Sequence, residues 1–391
     1  MLQLGIDRLA AERCARLQGR RVGLLCHAAS VASDFRHLTE LCVEAGVEVV
    51  RCFGPEHGIW ADAQDMAPVD GEAREPVTGA PVSSLYGDTI ESLTPPPESL
   101  EGIELLVIDL QDIGTRYYTY LYTAALVARR CAERSIPILL LDRPNPLGGE
   151  KIEGPMIEPG FESFVGLWSL PMRHGLTIGE ALTLLNEREG FGAEIEILEV
   201  QGWQRSELLI ETGQRWVNPS PNMPRFSTAI LYPGLCLIEG TELSEGRGTT
   251  LPFEQIGGRG LDPFRWAALL NAQELPGISF RPLFFQPTFQ KHAGERIGGV
   301  ALHVTDPHTL QPVRVGLQLL ATARRLAPEA LQWRRRAYEF VTDRPAIDLL
   351  FGSAEPRELI DAGGDVDALW ESWRAAEEQF RVAREPFLRY R

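Results

Sequence analysis

The chain has 391 residues, more than one ordinary hydrophobic core organises, and this length suits two domains in close contact. Its 38 basic and 54 acidic residues give a net charge of −16, and it lacks any long Lys/Arg block, which excludes a nucleic-acid-binding function. No run of 18 apolar residues occurs, which excludes a membrane-spanning helix.

The first half of the chain alternates strand and helix patterns. These patterns predict strands at 21–29, 47–54, 103–111 and 136–143, and an edge strand at 193–200. They predict helices at 33–45 and 115–133, and a third within 174–188 with Thr177 as its N-cap and Glu180 completing a capping box. The four longer strands are apolar throughout, so helices are expected on both faces of the sheet. Alternating strands and helices predict a parallel sheet. We therefore predict a doubly wound, Rossmann-like α/β fold.

The character of the sequence changes near residue 240, where glycine-rich segments precede mixed strands and helices. We predict a Rossmann-like domain at 1–240 and a smaller α+β domain at 241–391.

Cofactor and metal motifs are missing from the sequence. No G-x-G-x-x-G or phosphate-binding loop follows the first strand, so we expect no nucleotide cofactor. The seven histidines form no H-E-x-x-H pair and the six cysteines no C-x-x-C pair, so we expect no metal. Cys26 and Cys52 lie in strand-like runs and are predicted to be buried free thiols. The first residues contain no apolar signal region, and we expect a cytoplasmic location.

Polar residues follow each of the four longer predicted strands. The carboxyl ends of parallel strands meet at one edge, where ligands bind in open α/β sheets. Each residue also has a structural alternative: Asp112 suits a helix cap, His27 a core position and Asn145 a proline-stiffened turn. The candidate substrate-binding residues are His27, His57, Asp112, Arg116, Tyr118, Arg143 and Asn145.

Glu56 is the strongest catalytic candidate. It follows the second strand in the segment Gly54-Pro55-Glu56-His57-Gly58. The glycines permit tight backbone conformations, and Pro55 restricts the chain just before the acid. A carboxyl group held at a strand end suits general acid catalysis. A buried ion pair or a helix cap is the structural alternative.

A second polar segment, residues 232–250, contains three further candidates, Glu239, Glu245 and Arg247. A solvated charged loop is the simplest interpretation of this segment. Carboxylate, hydroxyl and guanidinium groups on stiff loops also suit the recognition of a sugar, which favours a binding role.

Long motifs of this chain resemble those of one enzyme family, the exo-β-N-acetylmuramidases of the NamZ type. The motifs, in family order, are FGPEHG, PVSSLYG, DLQDIGTRYYTY, LDRPNPLGG, MRHGLTIGE, NPSPNMP and YPGLCLIEGTELSEGRGTTLPFEQIG. The resemblance implies a glycoside hydrolase that removes terminal N-acetylmuramic acid from the non-reducing end of peptidoglycan fragments. It implies that the first domain is catalytic and the second auxiliary, with the active site in the cleft between them. It also implies catalytic roles for Glu56 and for Tyr86 of the SLYG motif.

Several features stay open at this stage. Asp112, Glu239 and Glu245 compete as a second catalytic carboxylate, and a tyrosine or the substrate's acetamido group are further options. Muramic acid carries a lactyl carboxylate, for which Arg116, Arg143 and Arg247 are the candidate partners. The expected partner is a sugar or muropeptide, bound by a monomer or homodimer. A non-catalytic muropeptide-binding protein is the alternative function.

Overall fold

The first half of the chain forms a parallel sheet in the computed structural model, which describes residues 2–64, 66–67 and 74–391. Its strands are β1 (Arg21–Cys26), β2 (Glu48–Gly54), β3 (Val82–Ser84), β4 (Leu105–Asp109), β5 (Ile138–Leu141) and β6 (Ile195–Leu198). Their order is β3-β2-β1-β4-β5-β6, and every neighbouring pair is parallel. The predicted Rossmann-like α/β fold is confirmed.

Helices cover both faces of this sheet. They are α1 (Gly5–Ala11), α2 (Leu38–Glu44), α3 (Tyr120–Ala132) and α4 (Ile178–Arg188). The alternating side chains of β1 enter two different hydrophobic clusters, Leu24 on one face and Leu25 on the other. Both faces therefore need apolar residues, which explains why the strands are apolar throughout.

The second half contains a smaller antiparallel sheet with helices around it. It consists of α5 (Phe226–Leu235), β7 (Gln255–Gly258), α6 (Pro263–Asn271), β8 (Ile278–Phe285), β9 (Ile297–Val304), α7 (Pro312–Leu326), α8 (Ala346–Phe351), α9 (Glu355–Asp361), α10 (Val366–Ser372) and α11 (Arg374–Arg384). The strand order is β7-β9-β8. The predicted smaller α+β unit is confirmed. One hydrophobic cluster contains residues of both halves, so the two sheets share a core.

Four elements differ from the prediction. Helix α1 and the short edge strand β3 were not predicted, α2 begins at Leu38 rather than at Ser33, and α3 begins at Tyr120 rather than at Thr115. The residues before α3 cannot start the helix because their backbone pairs elsewhere: Thr115 bridges Arg173, and the Arg116 N–H donates to Met172 O at 2.8 Å. This irregular turn places polar side chains at the carboxyl end of β4.

All six cysteines are buried free thiols, as predicted for Cys26 and Cys52. Among the described helices, none combines the length and the apolar character that crossing a membrane requires.

Candidate active site

Two consecutive tight turns hold Glu56 at the end of β2. The Gly58 N–H donates to Pro55 O at 3.0 Å, and Gly58 has a positive φ of 82°. His57 also has a positive φ, 71°, a conformation that costs a non-glycine residue free energy and that clusters at functional sites. The His57 ring fixes the loop further, because Nδ1 donates to Ala63 O at 2.9 Å. The strained turn at His57 and Gly58 therefore holds Glu56 just beyond the end of β2.

The Glu56 carboxylate contacts the beginning of α3. Thr119 Oγ1 donates to Glu56 Oε2 at 2.7 Å, and the Met66 N–H lies 3.4 Å from Oε1. Glu56 is only 6% exposed. In the described part of the chain, the contacts that orient this carboxylate are the hydrogen bonds from Thr119 and from the Met66 backbone.

A cavity lies next to Glu56, and segments that are far apart in the chain line it. Five of the residues predicted for the site line it, namely Glu56, His57, Tyr118, Glu239 and Arg247. Residues that were not predicted complete the lining: Met66, Tyr117, Thr119, Val165, Ser220, Asn222, Met223, Tyr232, Phe253, Tyr338 and Glu339. Ser220, Asn222 and Met223 belong to the NPSPNMP motif, so that motif was the signal available in the sequence for this part of the wall.

Arg247 is the arginine of the cavity wall. Its Nη2 donates to Glu239 Oε1 at 2.8 Å, and its Nε lies 3.4 Å from Glu245 Oε1. Its guanidinium also lies over the Phe253 ring, 5.0 Å from the ring centre. Two carboxylates and a ring fix the orientation of this cation. A planar guanidinium held in this way suits recognition of a carboxylate.

Glu245 lies behind this wall and supports it. Lys291 Nζ donates to Glu245 Oε2 at 2.8 Å. Burial opposes ionisation of Glu245, but Lys291 and Arg247 outweigh that effect and lower its pKa. Glu245 therefore carries the charge that keeps Arg247 and Lys291 in place.

Arg143 and Asn145 lie at the end of β5, where both bind the protein itself. Arg143 makes a bidentate pair with Asp109, at 2.6 and 2.9 Å, and donates to Val31 O at 3.0 Å. Asn145 Nδ2 donates to Leu176 O, and its Oδ1 accepts from a backbone N–H two residues on. Neither residue lines the cavity.

His27 and Arg116 are also held by backbone groups. His27 Nδ1 donates to Pro219 O at 3.2 Å, while Nε2 accepts from the Gln111 N–H at 2.9 Å. Burial, assisted by Arg143, lowers the pKa of His27 to about 3, so this neutral tautomer persists. Arg116 donates to three carbonyl oxygens, of Pro155, Leu170 and Leu350. Both residues join segments behind the cavity.

Asp112 and His174 form a buried pair beside the entrance to α3. Asp112 Oδ2 accepts from the Gly114 N–H at 2.6 Å and lies 3.9 Å from His174 Nε2. Burial raises the pKa of Asp112 to about 7 and lowers that of His174 to about 3. Both groups are thus predominantly neutral in slightly acidic solution. Asp112 is not among the described residues that line the cavity.

Tyr86 lies one layer behind the cavity. It is 2% exposed and packs against Phe164 and Phe340. Its hydroxyl donates to Glu339 Oε2 at 3.1 Å, and Glu339 lines the cavity. Tyr86 therefore reaches the site through Glu339. The sequence around Glu339 contains no glycine-bounded motif like that of Glu56, so no local signal pointed to it.

A second, wider cavity lies between α11 and residues 149–153. Several of its charged side chains bind other groups of the protein, such as Arg205 with Glu180 at 2.6 Å and Arg381 with Glu378 at 3.1 Å. Arg384 donates to backbone carbonyls of His174 and Gly175. None of the residues at the ends of β2 and β4 lines it. Among the described residues, no group of three or more His, Cys, Asp or Glu could hold a metal ion.

Comparisons with family models and with known proteins point to one family over nearly the whole chain. Two family models match it: exo-beta-N-acetylmuramidase NamZ, N-terminal, at residues 22–227, and its C-terminal counterpart at residues 230–390. The peptidoglycan beta-N-acetylmuramidase NamZ of Bacillus subtilis (strain 168) is 39% identical over 390 residues, covering 100% of this chain and 91% of that protein.

Solved structures resemble the fold over the same extent. Two crystal structures of DUF1343 family proteins from Bacteroides fragilis NCTC 9343 each align with 100% of this chain and 99% of their own. Their TM-scores are 0.87 and 0.77, at 31% and 26% sequence identity.

Proposed function

The chain belongs to the exo-β-N-acetylmuramidase NamZ family of glycoside hydrolases, and from that premise we propose that it releases N-acetylmuramic acid from the non-reducing end of peptidoglycan fragments. The proposal includes a role in cell-wall recycling, since exo-cleavage yields single amino sugars. It also assigns catalysis to a domain at 1–240 and an auxiliary role to residues 241–391. The cavity supports a site shared by the two parts of the chain, because its lining residues come from both sides of position 240.

The position of Glu56 carries the proposal. Glycoside cleavage needs an acid that protonates the leaving oxygen. Glu56 lines the cavity at a strand end and accepts a hydrogen bond from Thr119. The carboxyl group thereby has one oxygen oriented by the protein, while the same group faces the space where a sugar can bind. We assign to it the proton transfer that accompanies departure of the aglycone.

Arg247 supports specificity for muramic acid. Muramic acid differs from glucosamine by a lactyl ether, whose carboxylate requires a cationic partner. Of the three arginines predicted for this role, only Arg247 lines the cavity, whereas Arg116 and Arg143 bind protein groups behind it. We assign recognition of the lactyl carboxylate to Arg247.

Turnover of a chromogenic β-N-acetylmuramic acid glycoside tests the proposal, with the β-N-acetylglucosamine analogue as the specificity control. We expect release from the muramic substrate and a loss of at least about 100-fold in kcat for Glu56→Gln, with an unchanged melting temperature. Saturable binding of muropeptide by well-folded wild-type protein without release would refute the enzyme and favour the binding-protein alternative.

A further inference from the structure

The hydroxyl of Tyr118 is a buried donor in the cavity wall. Tyr118 lines the cavity and is 6% exposed. The side chains of Ser220 and Tyr120 lie near its hydroxyl, but in the described part of the chain no group meets this hydroxyl with the geometry of a hydrogen bond. A buried hydroxyl without such a partner costs stability and calls for an explanation. In the wall of a binding cavity, a group of the ligand can supply the missing acceptor.

The Tyr118 ring is fixed by the aromatic residues around it. Its centre lies 4.7 Å from that of the Tyr120 ring and 6.1 Å from that of the Tyr232 ring. The Tyr120 hydroxyl is already engaged, because it donates to Pro219 O at 2.6 Å. Packing on two sides therefore holds the Tyr118 hydroxyl at one place in the wall.

This hydroxyl lies close to the proposed catalytic acid. Tyr118 directly precedes Thr119, whose Oγ1 donates to Glu56 Oε2 at 2.7 Å. Burial raises the pKa of Tyr118, and the negative charges of Asp112 and Glu56 raise it further. Such effects of charge weaken with distance, so they indicate proximity. The Tyr118 hydroxyl thus stays protonated in neutral solution and can donate a hydrogen bond beside Glu56.

A short turn of the NPSPNMP motif provides a neighbouring part of the wall. The Met223 N–H donates to Ser220 O at 3.1 Å, and Ser220, Asn222 and Met223 all line the cavity. Asn222 Nδ2 donates to Gln64 Oε1 at 2.9 Å, which ties the turn to the loop that follows β2. The turn therefore adds the apolar side chain of Met223 to a wall that also contains polar groups.

We propose that Tyr118 determines specificity for the 2-acetamido group of the sugar, and that its hydroxyl donates to the acetamido carbonyl oxygen. This inference rests on the proposed function. The acetamido group is bonded to C2, next to the anomeric carbon, so it lies near the glycosidic oxygen that we assign to Glu56. An amide carbonyl is a strong neutral acceptor, and the acetamido methyl is apolar, as are Val165 and Met223 of the same cavity.

Two residues would then recognise two substituents of the same ring. Arg247 is assigned to the lactyl carboxylate on C3, and Tyr118 to the acetamido group on C2. The alternative for Tyr118 is a hydrogen bond to one of the other oxygen atoms of the sugar. The two assignments differ in what happens when the acetamido group is removed from the ligand, because only the first makes the effect of the hydroxyl depend on that group.

Isothermal titration calorimetry with two ligands tests the assignment. The ligands are N-acetylmuramic acid and 3-O-lactyl-2-deoxyglucose, which has hydrogen in place of the acetamido group. We expect Tyr118→Phe to weaken binding of N-acetylmuramic acid by about tenfold, and to leave Kd for the deoxy sugar within about twofold of wild type. On the chromogenic muramic glycoside, KM should rise by about tenfold as well.

Tyr122→Phe is the matched control. Tyr122 belongs to the same motif, is fully buried, and its hydroxyl also has no hydrogen-bond partner in the described part of the chain. Its ring packs against Phe164 and Trp168, and it is not among the described residues that line the cavity. The control removes the same atom away from the ligand, so it should keep wild-type affinity for both sugars. Thermal melting monitors folding of both variants.

Three results would overturn the inference. A folded Tyr118→Phe variant that binds N-acetylmuramic acid as tightly as active wild-type protein refutes the role of Tyr118 and leaves the proposed function intact. An equal loss of affinity for both sugars assigns the hydroxyl to another part of the ring, and an equal loss in Tyr122→Phe shows that the effect is not local. Wild-type protein that binds neither sugar and does not turn over the muramic glycoside refutes the proposed function together with this inference.

Discussion

Substitutions in the buried ion pair between Arg143 and Asp109 test whether polar residues at the strand ends stabilise the fold or bind the substrate. The two side chains are 4% and 0% exposed, and they make two hydrogen bonds to each other, at 2.6 and 2.9 Å. The substitution Arg143→Met keeps a long apolar side chain but removes the charge and every donor. It also removes the hydrogen bond to Val31 O.

The expected cost follows from these contacts. Removing one partner of a buried pair leaves the Asp109 carboxylate without a counter-charge, which destabilises a protein by about 3–5 kcal/mol. The Val31 carbonyl loses a donor as well, which adds about 1 kcal/mol. The double variant Arg143→Met/Asp109→Asn removes the buried charge too, so it should regain about 2 kcal/mol or more relative to Arg143→Met alone.

Urea unfolding and thermal melting of the two variants measure these differences, and steady-state kinetics below the melting temperature measures function. We expect Arg143→Met to melt several degrees lower, with KM for the muramic glycoside within about threefold of wild type. Unchanged stability combined with a KM raised more than about tenfold would show that Arg143 contacts substrate, and the structural assignment would then be wrong.

Two further predictions concern the cavity and the pair behind it. Arg247→Lys should raise KM for the muramic glycoside by about tenfold with little change in kcat, because lysine keeps the charge beside Glu239 but cannot bind the lactyl carboxylate bidentately. An unchanged KM would contradict that role. Asp112→Asn should stabilise the protein at pH 8 but not at pH 4, as measured by melting across that range. Because burial raises the pKa of Asp112 to about 7, the folded wild type binds an extra proton between about pH 4 and 7 and loses stability as pH rises. A variant less stable at pH 8 than wild type would contradict this reasoning.

The parallel sheet was predictable because its physical signal is local. A strand buried on both faces needs apolar residues at successive positions, and β1, β4 and β5 show this directly. Strand β3 escaped prediction because it has only three residues, all partly exposed, at the edge of the sheet. Helix α3 was placed too early because the sequence does not show that the Arg116 N–H pairs with Met172.

The site was predictable only as a region. Polar residues after a strand can line a site or can bind other groups of the protein, and the sequence does not distinguish these roles. Glu56 faces the cavity, whereas Arg143 forms an ion pair with Asp109. Which purpose applies depends on partners far away in the chain. Glu339 lies beyond any local signal, since its contact with Tyr86 spans 253 positions and its strained backbone exists only in the folded protein.

Each of the groups that face the cavity is oriented by another side chain of the protein. Glu56 is oriented by Thr119, Arg247 by Glu239, and Glu339 by Tyr86, and each side chain keeps part of its surface toward the cavity. Glu56 follows β2, Arg247 lies in the loop before β7, and Glu339 lies between α7 and α8, so the arrangement exists only when both halves of the chain are folded together. Dipoles and charges fixed in this way need no reorganisation as charge develops at the anomeric carbon, which is the main source of catalysis in such sites. Under the proposed function, the buried pairs behind the cavity contribute to the reaction indirectly, because they hold the backbone on which these orientations depend.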